Sequence, residues 1–164
     1  VSRFMHEPGA TPQGLKLAFT FLFTARGTPL VYYGDEIAIP GGNDPDNRRD
    51  FPGGWSSDPR NAFDAAGRNA AEQDVWRHVQ KVAQIRAARQ ELRGGATEHL
   101  FVSDQVYVYR RGETIVAINN GKEASDVTIP ATALPADALG VCAAGRPVNG
   151  ATVVRVPARA SCIF

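Results

Sequence analysis

Between Gly41 and Arg49 the chain reads Gly-Gly-Asn-Asp-Pro-Asp-Asn-Arg-Arg, with two carboxylates, two amides and two guanidinium groups in nine residues. Carboxylates and amides accept from hydroxyls and guanidinium forks donate to them, so the stretch suits a neutral polyol such as a sugar. Arg48 can donate two parallel hydrogen bonds and Asp44 can accept from vicinal hydroxyls. The competing reading is an Asp44–Arg48 salt bridge that closes a turn around Pro45. Asp46 and Arg49 fit a role in holding the loop itself. A calcium loop on Asp44 and Asp46 is disfavoured, because Arg49 stands where such a loop needs Gly. Flat faces for a sugar ring come from Tyr32, Tyr33, Phe51 and Trp55. Tyr32 and Tyr33 would face opposite ways on a strand, and Tyr33 also reads as a core residue. Asp35 and Glu36 are adjacent, so on a strand they diverge and cannot form a catalytic pair. One of them reads as a supporting anchor.

The elements that must position these groups are legible on either side. Leu30 to Tyr33 reads as a short, fully buried strand, with Pro29 at its entry where a missing N–H is tolerated. A buried strand that delivers a polar loop is how an α/β barrel places its active-site groups. Upstream, Thr11 as N-cap and Pro12 at the first helical position predict a helix to Arg26, with Gly27 as its C-cap. Leu15, Ala18, Phe19, Leu22 and Phe23 form one face, and Leu17, Phe21 and Ala25 widen it, which predicts a buried helix. Helix followed by buried strand suggests the last part of a parallel α/β sheet. Residues 40–68 read as irregular, and a loop that long is usually functional. Asn69 then caps a helix, with Glu72 three residues on and the apolar stripe Val75, Val79, Val82, Ala83 and Ile85 running toward Leu92. Gly94-Gly95 ends it and marks a domain boundary.

From Leu100 the period changes to two. Strands are predicted at Phe101-Val-Ser, Val106-Tyr-Val-Tyr, Thr114-Ile-Val-Ala-Ile, Asp126-Val-Thr-Ile, Val141-Cys-Ala and Val153-Val-Arg-Val. Turn signals at Arg111-Gly112, Asn120-Gly121, Ala144-Gly145 and Asn149-Gly150 separate them, and Asn119-Asn120-Gly121 reads as a hairpin. This spacing suggests a small antiparallel sandwich. Across 164 residues, 43% are hydrophobic and 21% charged, and the net charge is +1. That balance points to no nucleic acid and no anionic membrane as partner. The longest apolar stretch, Leu15 to Ala25, is about eleven residues and too short to cross a bilayer. Cys142 and Cys162 read as two free buried thiols in preference to a disulfide, with no metal-ligand spacing around either. His6, His78 and His99 are scattered and form no constellation.

Taken together, Gly27-Thr-Pro-Leu-Val-Tyr-Tyr-Gly-Asp-Glu-Ile and Gly41-Gly-Asn-Asp-Pro-Asp-Asn-Arg-Arg resemble the eighth barrel strand and following loop of the α-amylase superfamily, glycoside hydrolase family 13. The likeness is greatest to its cyclomaltodextrinase, neopullulanase and maltogenic amylase branch. Val1-Ser-Arg-Phe resembles the residues just after the family's Asn-His-Asp motif. The resemblance implies α/β plus all-β architecture: the C-terminal portion of a (β/α)8 TIM barrel followed by a small antiparallel β-sandwich. Residues 1–94 would supply helix 7, strand 8, the long loop and helix 8, and residues 95–164 the sandwich. The implied function is that of a fragment of a retaining α-glucan hydrolase acting on α-1,4-linked maltooligosaccharides, cyclodextrins or starch. Asp44, Arg48, Trp55 and Tyr33 would contact sugar, with Arg3, Asp35 and Glu36 supporting them. Arg3 would orient nearby carboxylates in the family, though in this chain alone it reads as a surface residue at a frayed end.

The family's three catalytic carboxylates would all lie upstream, the stabilising Asp directly before Val1, so the isolated chain is expected to be inactive. No cofactor or metal is expected in these residues, although the resemblance leaves room for calcium in a parent enzyme. The implied partners are an α-glucan oligosaccharide and the remaining part of the barrel, as a companion chain or a missing N-terminal segment. Val1 is not an initiator Met, so the chain reads as a fragment or processed product. The compartment stays open between bacterial cytoplasm and periplasm or secretion. Because strand 30–33 needs neighbours on both sides, a second chain or an abnormal dimer is expected. A rival reading is a non-catalytic carbohydrate-binding or structural β-sandwich, which Tyr107 and Tyr109 would have to serve almost alone.

Overall fold

The computed structural model describes residues 1–131 and 133–164, with the backbone alone at Ala144 and Arg146. It contains two principal helices, α1 (Pro12–Thr24) and α2 (Ala70–Ala88), a one-turn helix α3 (Glu91–Gly94), and seven strands. The strands are β1 (Glu98–Val102), β2 (Val106–Arg111), β3 (Thr114–Asn119), β4 (Ser125–Ile129), β5 (Ala144–Val148), β6 (Ala151–Val156) and β7 (Ala160–Ile163). Two compact units divide the chain. The first holds Val1–Lys16 and Leu30–Gln80, and the second holds Leu17–Pro29 and Lys81–Phe164.

In the second unit, two antiparallel sheets have the orders β1-β2-β3-β7 and β4-β6-β5. Val108, Ala117, Val127, Val154 and Val156 close the core between them with Phe164. Strands β4 and β6 alternate strictly, with Val127 and Ile129 inward and Asp126 and Arg155 paired outward at 3.2 Å. Strands β2 and β3 are buried on nearly every residue, because α1 residues of the same unit cover their outer face. Thr20 and Ser161 hydroxyls meet there at 2.9 Å, and the Thr24 and Tyr109 hydroxyls are hydrogen-bonded. Asn149 and Gly150, at φ 51° and 80°, make the turn between β5 and β6, as a two-residue hairpin demands.

Both helix starts follow the sequence. The Thr11 hydroxyl accepts the Gly14 N–H at 3.1 Å. Asn69 Oδ1 accepts the Glu72 N–H, and the Glu72 carboxylate accepts the Asn69 N–H, each at 2.9 Å. That is a reciprocal capping box.

Several expectations need correction. Leu30 to Tyr33 is not a buried strand: Leu30 is 82% exposed and Tyr32 and Tyr33 are about two-fifths exposed. A strand exists only with a ladder partner, and all seven strands lie between 98 and 163 and pair among themselves. The described residues therefore show antiparallel sheets with few helices, and no barrel portion. Helix α1 is not buried all round, since Ala18 is exposed and Phe21 is 48% exposed. The helical pattern expected to run to Leu92 breaks after Ala88 and resumes as α3.

Val141-Cys-Ala is not a strand, because the Asp137 carboxylate takes the Val141 and Cys142 N–H groups at 2.7 and 2.8 Å. The strand falls at β5 instead, so Ala144-Gly145 is no turn. Asn119-Asn120-Gly121 joins strands of different sheets rather than a hairpin. Asn119 is buried and donates to the carbonyls of Glu123, Val156 and Pro157 while accepting from Gly121 N–H. Cys142 and Cys162 are not free thiols but a disulfide, with Cα atoms 5.9 Å apart, inside the ordinary range for such a bridge.

Candidate functional site

The polar loop lies in the first unit and is organised from the chain's first residues. Arg3 is only 3% exposed, which overturns its reading as a frayed surface residue. Its N–H donates to Gly41 O at 2.8 Å and its Nε to Asn47 O at 2.8 Å. Nη1 donates to Tyr33 O at 2.8 Å and to Asp35 Oδ1 at 2.9 Å. The guanidinium carbon sits 4.7 and 4.9 Å from the Tyr32 and Tyr33 ring centroids, a cation–π arrangement. One side chain thus ties segment 33–35 to segment 41–47.

Asp35 and Glu36 do not extend a strand. They sit in a single 3-10 turn, Asp35–Ile37, entered through Gly34 at φ 87°. A Cβ on Gly34 would lie 2.6 Å from the Ile39 side chain, so both the φ and the space call for glycine. Burial raises the Asp35 pKa above the ordinary carboxylate value, and the Arg3 contact opposes that rise. Among the described residues, Glu36 Oε2, Arg3 Nη2 and Asn47 Oδ1 are buried without a hydrogen-bond partner. Tyr32 and Tyr33 do not face opposite ways. Their rings lie 4.7 Å apart, both beside Arg3, because neither is held in a pleated ladder.

The loop closes on Asp46. Its carboxylate accepts Arg49 Nε at 2.7 Å, Arg49 Nη2 at 2.9 Å and the Gly42 N–H at 2.6 Å. The Arg49 hydrogen bonds, then the Gly42 N–H, hold its pKa below the usual value. Gly41 is required here, since a Cβ would stand 2.7 Å from Asp46 O. The Tyr33 hydroxyl donates to Arg49 O at 3.1 Å, joining the tyrosine pair to the loop. Asp44 and Arg48 pair with each other at 2.8 Å with both side chains more than half exposed. The competing reading, a salt bridge around Pro45, is therefore what forms, and it presents both groups to solvent.

The structure brings Arg3, Tyr33 and Asp35 into one hydrogen-bonded cluster and sets Asp44 with Arg48 on the adjoining loop. Glu36 follows Asp35 in the same turn. Trp55 is 78% exposed, and its backbone N–H donates to the Asp58 carboxylate at 2.9 Å. Nearby, Phe51 and Phe63 rings lie 4.4 Å apart. The sequence reading missed Asn47, which accepts from Arg3 through its carbonyl and donates from Nδ2 to Val1 O at 2.9 Å. Its neighbour relation to Arg3 spans 44 residues, so no local pattern signals it.

The fold and this loop define the chain's class: it belongs to the α-amylase superfamily, glycoside hydrolase family 13, and corresponds to the C-terminal region of its members. The cyclomaltodextrinase of Geobacillus thermopakistaniensis (strain MAS1) is 31% identical over 134 residues, which is 78% of this chain and 21% of that protein. The cyclomaltodextrin glucanotransferase of Bacillus sp. (strain 1-1) is 31% identical over 123 residues, covering 73% of this chain and 15% of its own. Among solved structures, the debranching enzyme of Nostoc punctiforme superposes with a TM-score of 0.76 at 27% identity, covering 99% of this chain and 33% of that one. No protein-family model matches the chain. The chain spans 15–21% of the length of these two curated relatives.

Proposed function

We propose that this chain is the sugar-holding C-terminal segment of a retaining α-glucan-acting enzyme, working on α-1,4-linked maltooligosaccharides, cyclodextrins or starch. Residues 1–94 complete a (β/α)8 barrel in the whole protein, and residues 95–164 form the appended sandwich. The reading rests above all on the exposed Asp44–Arg48 pair, held out by a loop whose own charges, Asp46 and Arg49, satisfy each other. A vicinal diol can replace the salt bridge by donating to Asp44 and accepting from Arg48. Tyr33 and Trp55 offer exposed ring surface, and Arg3, Asp35 and Glu36 support the loop. The catalytic carboxylates belong to other residues of the whole enzyme. Retaining hydrolysis needs two carboxyls about 5–5.5 Å apart across the bond, whereas the acids of this loop are engaged as ion pairs. Substrate positioning by such remote contacts is itself a catalytic contribution.

The exposed, unpaired segment 30–33 supports a partner that completes the barrel around it. The sandwich serves as structure in this reading. Tyr109 is 1% exposed, and Tyr107 stacks on both His99 and Tyr109, so neither offers a free face to a sugar.

Titrating the chain with maltotriose under NMR observation tests the proposal. Millimolar sugar should shift the amides of 41–49, Asp44→Ala/Arg48→Ala should abolish the shifts, and no hydrolysis should exceed background. Unchanged spectra, shifts that survive the double substitution, or hydrolysis by the chain alone would overturn it.

A further inference from the structure

In the second unit, Arg26, Arg86, Arg93 and Arg111 carry positive charge that no salt bridge among the described residues pairs. Arg86 is 8% exposed and Arg111 is wholly buried. Arg86 Nη1 donates to Phe23 O and Leu92 O at 2.8 Å each, and Nη2 to Gly27 O at 2.5 Å. Arg111 donates from Nη1 to Thr24 O and from Nε to Gly95 O, both at 3.1 Å. Two of these acceptors, Phe23 O and Thr24 O, are the last carbonyls of α1. A helix end supplies roughly half a negative charge, which falls short of two buried guanidiniums. Burial, then Arg111 and Arg93, lower the Arg86 pKa, as expected of undercompensated cations.

Arg86, but not Arg111, opens onto a cavity of about 510 Å³, lined also by Arg26, Thr28 and Arg93 together with Gly27, Pro29 and Gly94. It has no acidic lining residue. Arg93 Nη1 donates to Ala87 O at 2.7 Å, and Arg26 and Arg93 are both exposed. Glu91, whose carboxylate feels Arg93, instead accepts the Thr114 hydroxyl at 2.7 Å. We propose that this cavity is an oxyanion site that takes a phosphate group, free or as a monoester, between Arg26, Arg86 and Arg93. Guanidinium forks match phosphate oxygens in pairs. Arg86 is fixed by its carbonyl partners, so one wall of the site is preorganised. The inference is independent of the sugar-holding loop.

Thermal unfolding and ³¹P line widths of the 164-residue chain test it, with sodium phosphate in one arm, glucose 6-phosphate in a second, and sodium chloride at equal ionic strength as reference. Phosphate should raise the unfolding temperature saturably where chloride does not. A matching rise with glucose 6-phosphate assigns the site to esters as well, and its absence restricts the site to free phosphate. Arg26→Gln/Arg93→Gln should weaken binding at least tenfold while leaving the circular dichroism and the melt in chloride unchanged. No advantage of phosphate over chloride, or wild-type affinity in the double variant, overturns the proposal.

Discussion

Reducing the Cys142–Cys162 bridge should leave the native state in place but cut its stability sharply. The two cysteines are 20 residues apart and enclose β5 and β6. Cys162 is completely buried in the core shared by the two sheets. Cross-linking a loop of that size removes chain entropy from the unfolded state equivalent to about 3 kcal/mol. The folded geometry does not depend on the bridge alone, because Asp137 separately pins the segment. Its carboxylate accepts the N–H groups of Leu139, Val141, Cys142 and, on β7, Ile163 at 2.7 Å. Urea unfolding followed by circular dichroism, with and without reductant, reads the difference. With a denaturant slope of about 1–3 kcal/mol/M, the midpoint should fall by about 1–3 M. Cys142→Ala/Cys162→Ala should behave like the reduced protein in the presence or absence of reductant. Thiol titration of the unreduced, denatured chain should find none. Two titratable thiols there, or a midpoint that reductant does not move, would refute the reasoning.

Asn69→Ala removes the acceptor for the Glu72 N–H and should cost about 1 kcal/mol, or roughly 3 °C in a thermal melt; an unchanged melt would count against the cap. His78 is held neutral, its pKa lowered to about 4 by burial and then by the Lys16 cation. The unfolded chain therefore takes up that proton first, so the stability His78 carries is present above its ordinary value of 6.5 and falls as pH drops toward 4. The loss should total about 3 kcal/mol over that window, His78→Gln should flatten it, and a His78 ring titrating near 6.5 by NMR would contradict it.

The features that the sequence made legible are those settled within a few residues. The Thr11 cap, the Asn69–Glu72 box and the Asn149-Gly150 turn each depend on local geometry and on side chains that reach only their neighbours. Alternation in β4 and β6 was equally readable, because one face of that sheet meets solvent. The Asp44–Arg48 pair is also local, four residues apart across one turn.

Local pattern misled where a side chain, near or far along the chain, captured backbone groups. Val141 and Cys142 have strand-forming side chains, but Asp137 captured their N–H groups. Asn119-Asn120-Gly121 has hairpin chemistry, but Asn119 spends its amide on Glu123, Val156 and Pro157. Strand β7 is only four residues long and showed too little periodicity to be noticed.

By itself, then, the sequence determined the clustering of carboxylates, amides and guanidinium groups in 41–49, the helix starts, the antiparallel character of the C-terminal half and the family likeness. All of these are carried by residue type and short spacing. Only the tertiary structure decided that Arg3 is a buried hub, that the cysteines are joined, that the apolar run 30–33 has no ladder, and that Arg26, Arg86 and Arg93 share one cavity. Each of these depends on which remote backbone or side chain arrives at a given atom. Hydrogen-bond and charge partners separated by tens of residues leave no periodic trace in the chain.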